Sequence, residues 1–188
     1  MRIREATVRD AAAIARVQVD TWRTAYAGIV PEHHLASLSD ERSERAWRDT
    51  LSAPDRPGFT YVTEDDHGNV IGFASGGPER GGDPVYKGEV YAIYLLQEHQ
   101  RKGIGRQLTL TLARRLFEKG LRSMLVWVLA ESPSRDFYTA LGGKPLYDKP
   151  IEIGGEELIV AAYGWQDLSV LLEAHRQTKR GQQSTYSV

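Results

Sequence analysis

Apolar and polar positions along the chain recur at distinct spacings, and each spacing predicts an element. Residues 2–6 alternate, which predicts a short edge strand. Thr7 with Asp10 reads as a capping box, and Ala11, Ile14, Ala15, Gln18 and Trp22 follow at helical spacing, stopping near Gly28 before Pro31. A second helix is expected from Ser39 to Ser52, with Ala46, Trp47 and Leu51 inward, followed by a loop at Pro54, Pro57 and Gly58. Phe59–Glu64 and Val70–Ser75 are β-rich runs around Asp66-His67-Gly68-Asn69, a hairpin. Gly76, Gly77, Pro78, Gly81, Gly82 and Pro84 predict a long, mobile loop.

The second half follows the same logic. Glu89–Leu96 is strongly β-prone, and a helix is expected from about Gly105 to Lys119, with Ile104, Leu108, Leu112 and Leu116 on one stripe and Gly120 as its stop. Ser123–Leu129 is apolar almost throughout, as in a strand buried on both faces. Ser132-Pro133 opens a short helix through Leu141. Lys144–Tyr147 and Glu157–Tyr163 read as two last strands joined through Gly154-Gly155. Leu168, Leu171, Leu172 and His175 predict a terminal helix, and Thr178–Val188 a frayed tail. Neither a repeat nor a linker divides the chain. The expectation is one α/β (α+β) domain over residues 1–165, with a C-terminal helix and tail over 166–188.

Composition narrows the function classes. With 188 residues, 41% hydrophobic and 26% charged, the chain suits one domain with one real core. Lys and Arg number 24 against 25 Asp and Glu, a net charge of -1, which argues against a general nucleic-acid or anionic-membrane binder. The absence of cysteine removes disulfides, thiolate metal ligation, iron–sulfur clusters and a cysteine acyl-enzyme. The longest apolar runs, Val90–Leu96 and Met124–Ala130, span seven residues, far short of a membrane crossing. Met1–Glu5 lacks the apolar stretch of a signal peptide, so the expected location is the cytoplasm.

The stretch that carries chemistry is Gln100-Arg101-Lys102-Gly103-Ile104-Gly105-Arg106, between an apolar strand and an amphipathic helix. Two glycines allow a tight turn and close approach of a ligand, and unpaired N–H groups then point outward at the positive end of the helix dipole. Arg101, Lys102 and Arg106 add positive charge there, so the site suits a diphosphate; a surface turn with a basic flank is the plainer reading. A Walker A loop needs Gly-Lys-Ser/Thr, whereas these glycines follow the lysine. A Rossmann fingerprint needs a small residue where Leu108 stands. Gly72-Phe73-Ala74-Ser75-Gly76 misses the serine-hydrolase elbow by one residue, and His33-His34, without further ligands nearby, reads as a solvated loop pair.

Residues 100–105 match Gln/Arg-x-x-Gly-x-Gly/Ala, the acyl-CoA loop signature of the GNAT family of N-acetyltransferases, which the chain resembles over roughly residues 2–165. Glu89–Leu95 resembles the family's fourth strand. Ser132–Tyr138, followed by Leu141-Gly142-Gly143, resembles its Asn-x-x-Ala/Arg-x-x-Phe-Tyr segment, with Ser132 in place of Asn and Gly143 in place of Phe. The resemblance implies a mixed, mostly antiparallel sheet of about seven strands flanked by helices and splayed between strands 4 and 5. It also implies acetyl-CoA as co-substrate, no metal, and frequent homodimers. The cofactor would lie along Ile93, Tyr94 and Leu95, on the loop from Gln100 to Arg106, and against Ser132 and Phe137.

The implied reaction is direct attack of a primary amine on the acetyl thioester in a ternary complex, with a small molecule favoured over a protein as acceptor. An oxyanion donor would be a backbone N–H at a bulge within Ile93–Leu95. Tyr138, protonated at neutral pH, would serve the leaving thiolate as general acid, with an aromatic packing role as the alternative. Glu89, eleven residues before Gln100, would be the general base, its pKa lifted by an apolar strand; a water chain or a mere strand-end charge are the alternatives. Trp22 and Tyr26 fall where the family walls its acceptor cleft, with simple core packing as the alternative. A non-catalytic acyl-CoA-binding module, and transfer to a protein amine, use the same residues.

Overall fold

A computed structural model describes residues 1–174; His175 and the segment Thr178–Val188 lie outside the described residues. Strand β1 (Arg2–Glu5) leads through a short turn at Val8–Asp10 into helix α1 (Ala11–Ala25), followed by α2 (Glu32–Ser37) and α3 (Asp40–Ser52). Three strands come next, β2 (Phe59–Glu64), β3 (Val70–Pro78) and β4 (Gly88–Leu95), then α4 (Ile104–Glu118), β5 (Met124–Leu129) and α5 (Ser134–Ala140). The hairpin of β6 (Lys144–Ile153) and β7 (Glu156–Trp165) follows, and residues 168–174 are helical. No helix among the described residues is long and apolar enough to cross a membrane.

The seven strands form one sheet in the order β1-β2-β3-β4-β5-β7-β6. Every pairing is antiparallel except β4 with β5, which is parallel and holds for only three pairs, Gly88 with Met124 to Val90 with Val126. Beyond Val90 the two strands part, as the resemblance implied. The wedge between them runs through the middle of the sheet, where backbone N–H and C=O groups lose their usual partners.

Helix α4 covers one face: Leu108, Leu112 and Leu116 are fully buried with Val90, Val126, Val128, Tyr163 and Trp165. The opposite face is covered by α1 and α3, with Ile14, Val17, Val62 and Phe73 as its core. A third cluster joins Trp22, Tyr26, Val30 and Leu35 to Trp127, Leu129 and Val160, docking the end of α1 and all of α2 on β5 and β7.

Several boundaries differ from the sequence reading. Gly76 and Gly77 belong to β3 rather than to a loop. A Cβ on Gly76 would stand 2.7 Å from Glu89 O, and one on Gly77 would stand 2.6 Å from the Tyr91 hydroxyl, so only glycine fits these strand positions. β6 runs on to Ile153 through Pro150, which an edge strand tolerates because it needs no inward N–H there. His33 and His34 lie on α2 rather than in a loop. His33 Nε2 is 2.9 Å from Gly154 O, and the His34 ring lies where a Gly154 side chain would be.

The expected capping box forms. Asp10 Oδ2 accepts the Thr7 N–H at 2.7 Å, and Arg4 clamps both Asp10 oxygens at 2.7 and 2.8 Å while reaching Glu64. The Arg4 guanidinium lowers the Asp10 carboxyl to about 2, against a desolvation that raises it. A carboxyl depressed by folding stabilises the fold above its unfolded value, about 3.9, and loses that contribution as pH falls through the folded value. Asp10→Asn is therefore expected to lower Tm at pH 7. Its deficit relative to wild type should shrink as pH falls from about 4 to about 2, as thermal scans across that window will show.

Candidate active site

The turn before α4 is built on two left-handed residues. Arg101, at φ 60°, is the one non-glycine residue with positive φ among the described residues, and Gly103 caps α4 at φ 78°. For a residue with a side chain this conformation costs on the order of 1 kcal/mol or more, strain that accumulates at ligand-binding turns. Gln107 N–H is bonded to Gly103 O, which leaves the first-turn N–H groups of Ile104, Gly105 and Arg106 without helical acceptors. Arg101, Lys102 and Arg106 make no ion pair among the described residues. Amides, helix dipole and three unspent cations thus meet at one turn, the chemistry of an anion site.

Gly105 faces Phe137: a Cβ there would stand 3.3 Å from the ring. This contact brings the start of α5 against the start of α4. The Ile104 side chain is buried in the core, so only its N–H faces outward. Gln100 donates from Nε2 to Leu95 O at 2.9 Å, tying the turn to the end of β4.

The β4 backbone shows how the wedge is lined. Leu96 N–H bonds to Ile71 O, and register pairs Tyr94 with Phe73 and Ala92 with Ser75. Alternation along an antiparallel strand then turns the N–H groups of Ile93 and Leu95 away from β3, into the gap that β5 has left. The bulge in β4 lies at Tyr91, where the register slips between Ser75–Ala92 and Gly76–Val90, and not within Ile93–Leu95. The slip carries one residue more on β4 than on β3, so it re-aims the strand just as it leaves β5.

Tyr138 is buried, with its ring among Phe137, Tyr163 and Trp165, and its hydroxyl bonds to no group among the described residues. Burial pushes its phenol above the ordinary value, and the neighbouring Tyr94 adds to the shift. Burial likewise raises Tyr94 and Tyr26, whose phenols interact with each other. Trp22 packs edge-on against Tyr26 at 5.0 Å. Its indole N–H is buried without a well-formed hydrogen bond, close enough to Tyr94 to draw that phenol's value down. The structure therefore gathers Trp22, Tyr26, Tyr94 and Tyr138, from both faces of the sheet, around one gap. Trp22 and His34 also border a cavity of about 450 Å³ between α1, α2 and α3.

Ser132 stays out of this gathering. It is 2% exposed, and its hydroxyl accepts the Ser134 N–H at 3.3 Å, just before α5. Glu89 sits at the fork of β4 and β5, its side chain 5% exposed. Its neighbour Val90 packs toward α4, so Glu89 points to the opposite face. Its surroundings are more than an apolar strand. Oε1 accepts from Arg80 Nη2 at 2.5 Å, and Oε2 accepts from Arg80 Nε and the Arg80 backbone N–H, each at 3.1 Å. Nothing in the sequence pattern marked Arg80, which stands alone in a glycine-rich loop. Trp127, with Lys149 at 3.8 Å over its ring and Tyr147 beside it, extends the same face and was also not singled out.

The sequence model of the acetyltransferase (GNAT) family matches residues 18–142. An uncharacterized N-acetyltransferase, YuaI, of Bacillus subtilis is 41% identical over 169 residues, which are 90% of this chain and 95% of that one. Among solved structures, the PaiA N-acetyltransferase of Thermoplasma acidophilum, in complex with coenzyme A, aligns with a TM-score of 0.62 at 21% identity, over 85% of this chain and 96% of that one. YncA of Salmonella typhimurium, a putative acetyltransferase with its cofactor acetyl-CoA, aligns with a TM-score of 0.66 at 22% identity, over 89% and 94%. With its forked sheet, its glycine turn and a family match across most of its length, the chain belongs to the GNAT family of acetyltransferases.

Proposed function

We propose that the protein transfers an acetyl group from acetyl-CoA to the primary amine of a small molecule, in a ternary complex. The observation that carries this reading is the continuity between the N–H-lined fork at Ile93 and Leu95 and the positive-φ turn at Arg101 and Gly103. One end suits an extended arm that makes strand-like hydrogen bonds, and the other suits a diphosphate. Coenzyme A bound to PaiA and acetyl-CoA bound to YncA support the assignment. When bound, acetyl-CoA supplies an activated thioester. Backbone N–H groups of the fork donate to its carbonyl oxygen as negative charge develops there. The Tyr138 hydroxyl, unengaged within the protein, donates to the departing sulfur. Burial disfavours the phenolate, so it acts through the proton it keeps.

The acceptor enters from the face of Trp22, Tyr26, Tyr94 and Trp127, whose aromatic lining suits a compact organic amine. Glu89, on that face, takes the proton the ammonium must lose. Cytoplasmic location and a homodimer, the latter checked by sedimentation, belong to the same reading. The decisive assay follows free thiol released from acetyl-CoA across a panel of primary amines; release matched by N-acetylated product is expected. Acetyl-CoA binding without release for any amine would point instead to a non-catalytic acyl-CoA-binding module. Glu89→Gln is nearly isosteric and accepts no proton. It is expected to lower kcat/KM at least about tenfold near neutral pH and to recover partly at high pH, where more amine arrives neutral. A pH–rate profile overlaying wild type removes Glu89 as base.

A further inference from the structure

Glu89 is one of only two buried carboxylates among the described residues, and the other, Asp10, is spent on the capping box at the far end of the sheet. Its partner is unlike it. The Arg80 side chain is 61% exposed and hangs from a loop that contains Gly81 and Gly82. The guanidinium carbon lies 4.0 Å from the centre of the Tyr91 ring, while two of its nitrogens reach the two Glu89 oxygens. A buried carboxylate below and an aromatic face alongside make a cradle for a cation. Tyr91 is the bulged residue of β4, and its hydroxyl is pinned to Pro78 O at 2.6 Å, so the ring is fixed in place. The cradle is therefore rigid on the side of the sheet, and its occupant is the exposed part.

We propose that Arg80 is a displaceable internal plug, its guanidinium standing where the ammonium group of the acceptor binds. The inference rests on the reading of Glu89 as the residue that meets the amine. With Arg80 in place, both carboxylate oxygens already accept from it, Oε2 twice and Oε1 once, so an incoming ammonium competes with the guanidinium for Glu89. When an ammonium takes the cradle, Arg80 swings into solvent on its loop. Glu89 then accepts one ammonium proton, the neutral amine bonds to the acetyl carbon, the carbon–sulfur bond breaks as sulfur takes the Tyr138 proton, and the second proton shed by nitrogen as the amide forms returns through solvent to the Tyr138 oxygen. The net products are the acetamide, free thiol and one proton. The chemistry selects a cationic primary amine. An acceptor with a carboxylate beside its amine would also meet Arg80 once it has swung aside.

Methylguanidinium and methylammonium are the probes, titrated by calorimetry into wild type, Arg80→Ala and Arg80→Ala/Glu89→Gln; Arg80→Gln, which keeps one hydrogen bond to Glu89, replaces Arg80→Ala if that variant does not fold. The expected result is that methylguanidinium binds the vacated cradle in the single variant, binds at least tenfold more weakly in wild type, and does not bind the double variant. In turnover with any amine that wild type acetylates, methylguanidinium should raise the KM of Arg80→Ala for the amine without changing kcat. Absence of cation binding to folded Arg80→Ala and Arg80→Gln overturns the proposal. So does restoration of turnover by methylguanidinium, which would make the Arg80–Glu89 pair a strut that the active enzyme needs. Cation binding is read without catalysis, so it separates this proposal from the base role of Glu89, which the pH–rate profile of Glu89→Gln decides.

Discussion

Tyr138→Phe is expected to lower kcat by about 10²–10⁴, the range for losing a positioned general acid, with acetyl-CoA affinity nearly unchanged. The variant isolates the hydroxyl cleanly. The ring packs with Phe137, Tyr163 and Trp165, and phenylalanine keeps those contacts. The hydroxyl has no hydrogen-bond partner among the described residues, so its removal leaves no buried group unsatisfied, and stability should stay within about 0.5 kcal/mol of wild type. Burial holds the phenol protonated above its ordinary value, so the wild-type pH profile should show no descending limb from Tyr138 below about pH 10. Steady-state kinetics with thermal scans test both halves. Turnover near wild type would reduce Tyr138 to a packing residue and send the thiolate to solvent unprotonated.

The parts of the fold and site that were legible in sequence are those whose chemistry is local. The turn at 100–105 announces itself because left-handed backbone and free first-turn amides need glycine and a following helix, and both are written in adjacent residues. The start of α3 at Ser39 and the Gly154-Gly155 turn were readable for the same reason. Features set by distant partners were not. Helix α2 has six residues, too few to show a period, and its packing partners, Leu129, Val160 and Gly154, lie some hundred residues away. Gly76 and Gly77 resemble a loop in sequence; they are strand because Glu89 and Tyr91 press on them from β4. The Tyr91 bulge is a matter of register between two strands, and neither strand alone encodes it.

The site shows the same division. Tyr138 and the glycine turn stand in patterned segments, but the engagement of Glu89 by Arg80 joins a strand to a loop of unremarkable composition. An apolar strand around a glutamate suggests desolvation, and sequence cannot reveal that a guanidinium has come to meet it. Ser132 is a smaller case: it is buried just before α5 and its hydroxyl accepts the Ser134 N–H, a local bond that its place in the pattern does not show. The aromatic face proposed to admit the acceptor is assembled from α1, β4, β5 and β6, with one or two residues from each, so no single segment shows its aromatic character.

Gly105→Val should abolish tight acetyl-CoA binding while Gly103→Ala should chiefly cost stability, and the contrast tests what each glycine is for. Gly103 sits at φ 78° with nothing within 4 Å of an added Cβ. Its requirement is conformational, and alanine there costs about 1 kcal/mol with the space in front of the turn left open. Gly105 lies in the first turn of α4 at ordinary helical geometry, where valine is tolerated by the backbone. Its Cβ would stand 3.3 Å from the Phe137 ring, and its two methyl groups would crowd the first turn beside the free amides. Charge-assisted hydrogen bonds contribute roughly 1.5–3 kcal/mol each. Losing two of them weakens binding by about a hundredfold or more. Neither substitution removes a charge, so the salt dependence of residual binding should persist, carried by Arg101, Lys102 and Arg106. Calorimetry of coenzyme A against both variants, with Tm measured in parallel, gives the answer. Unchanged affinity in a folded Gly105→Val protein would mean that the diphosphate does not approach this turn, and the anion site would have to be sought elsewhere along the fork.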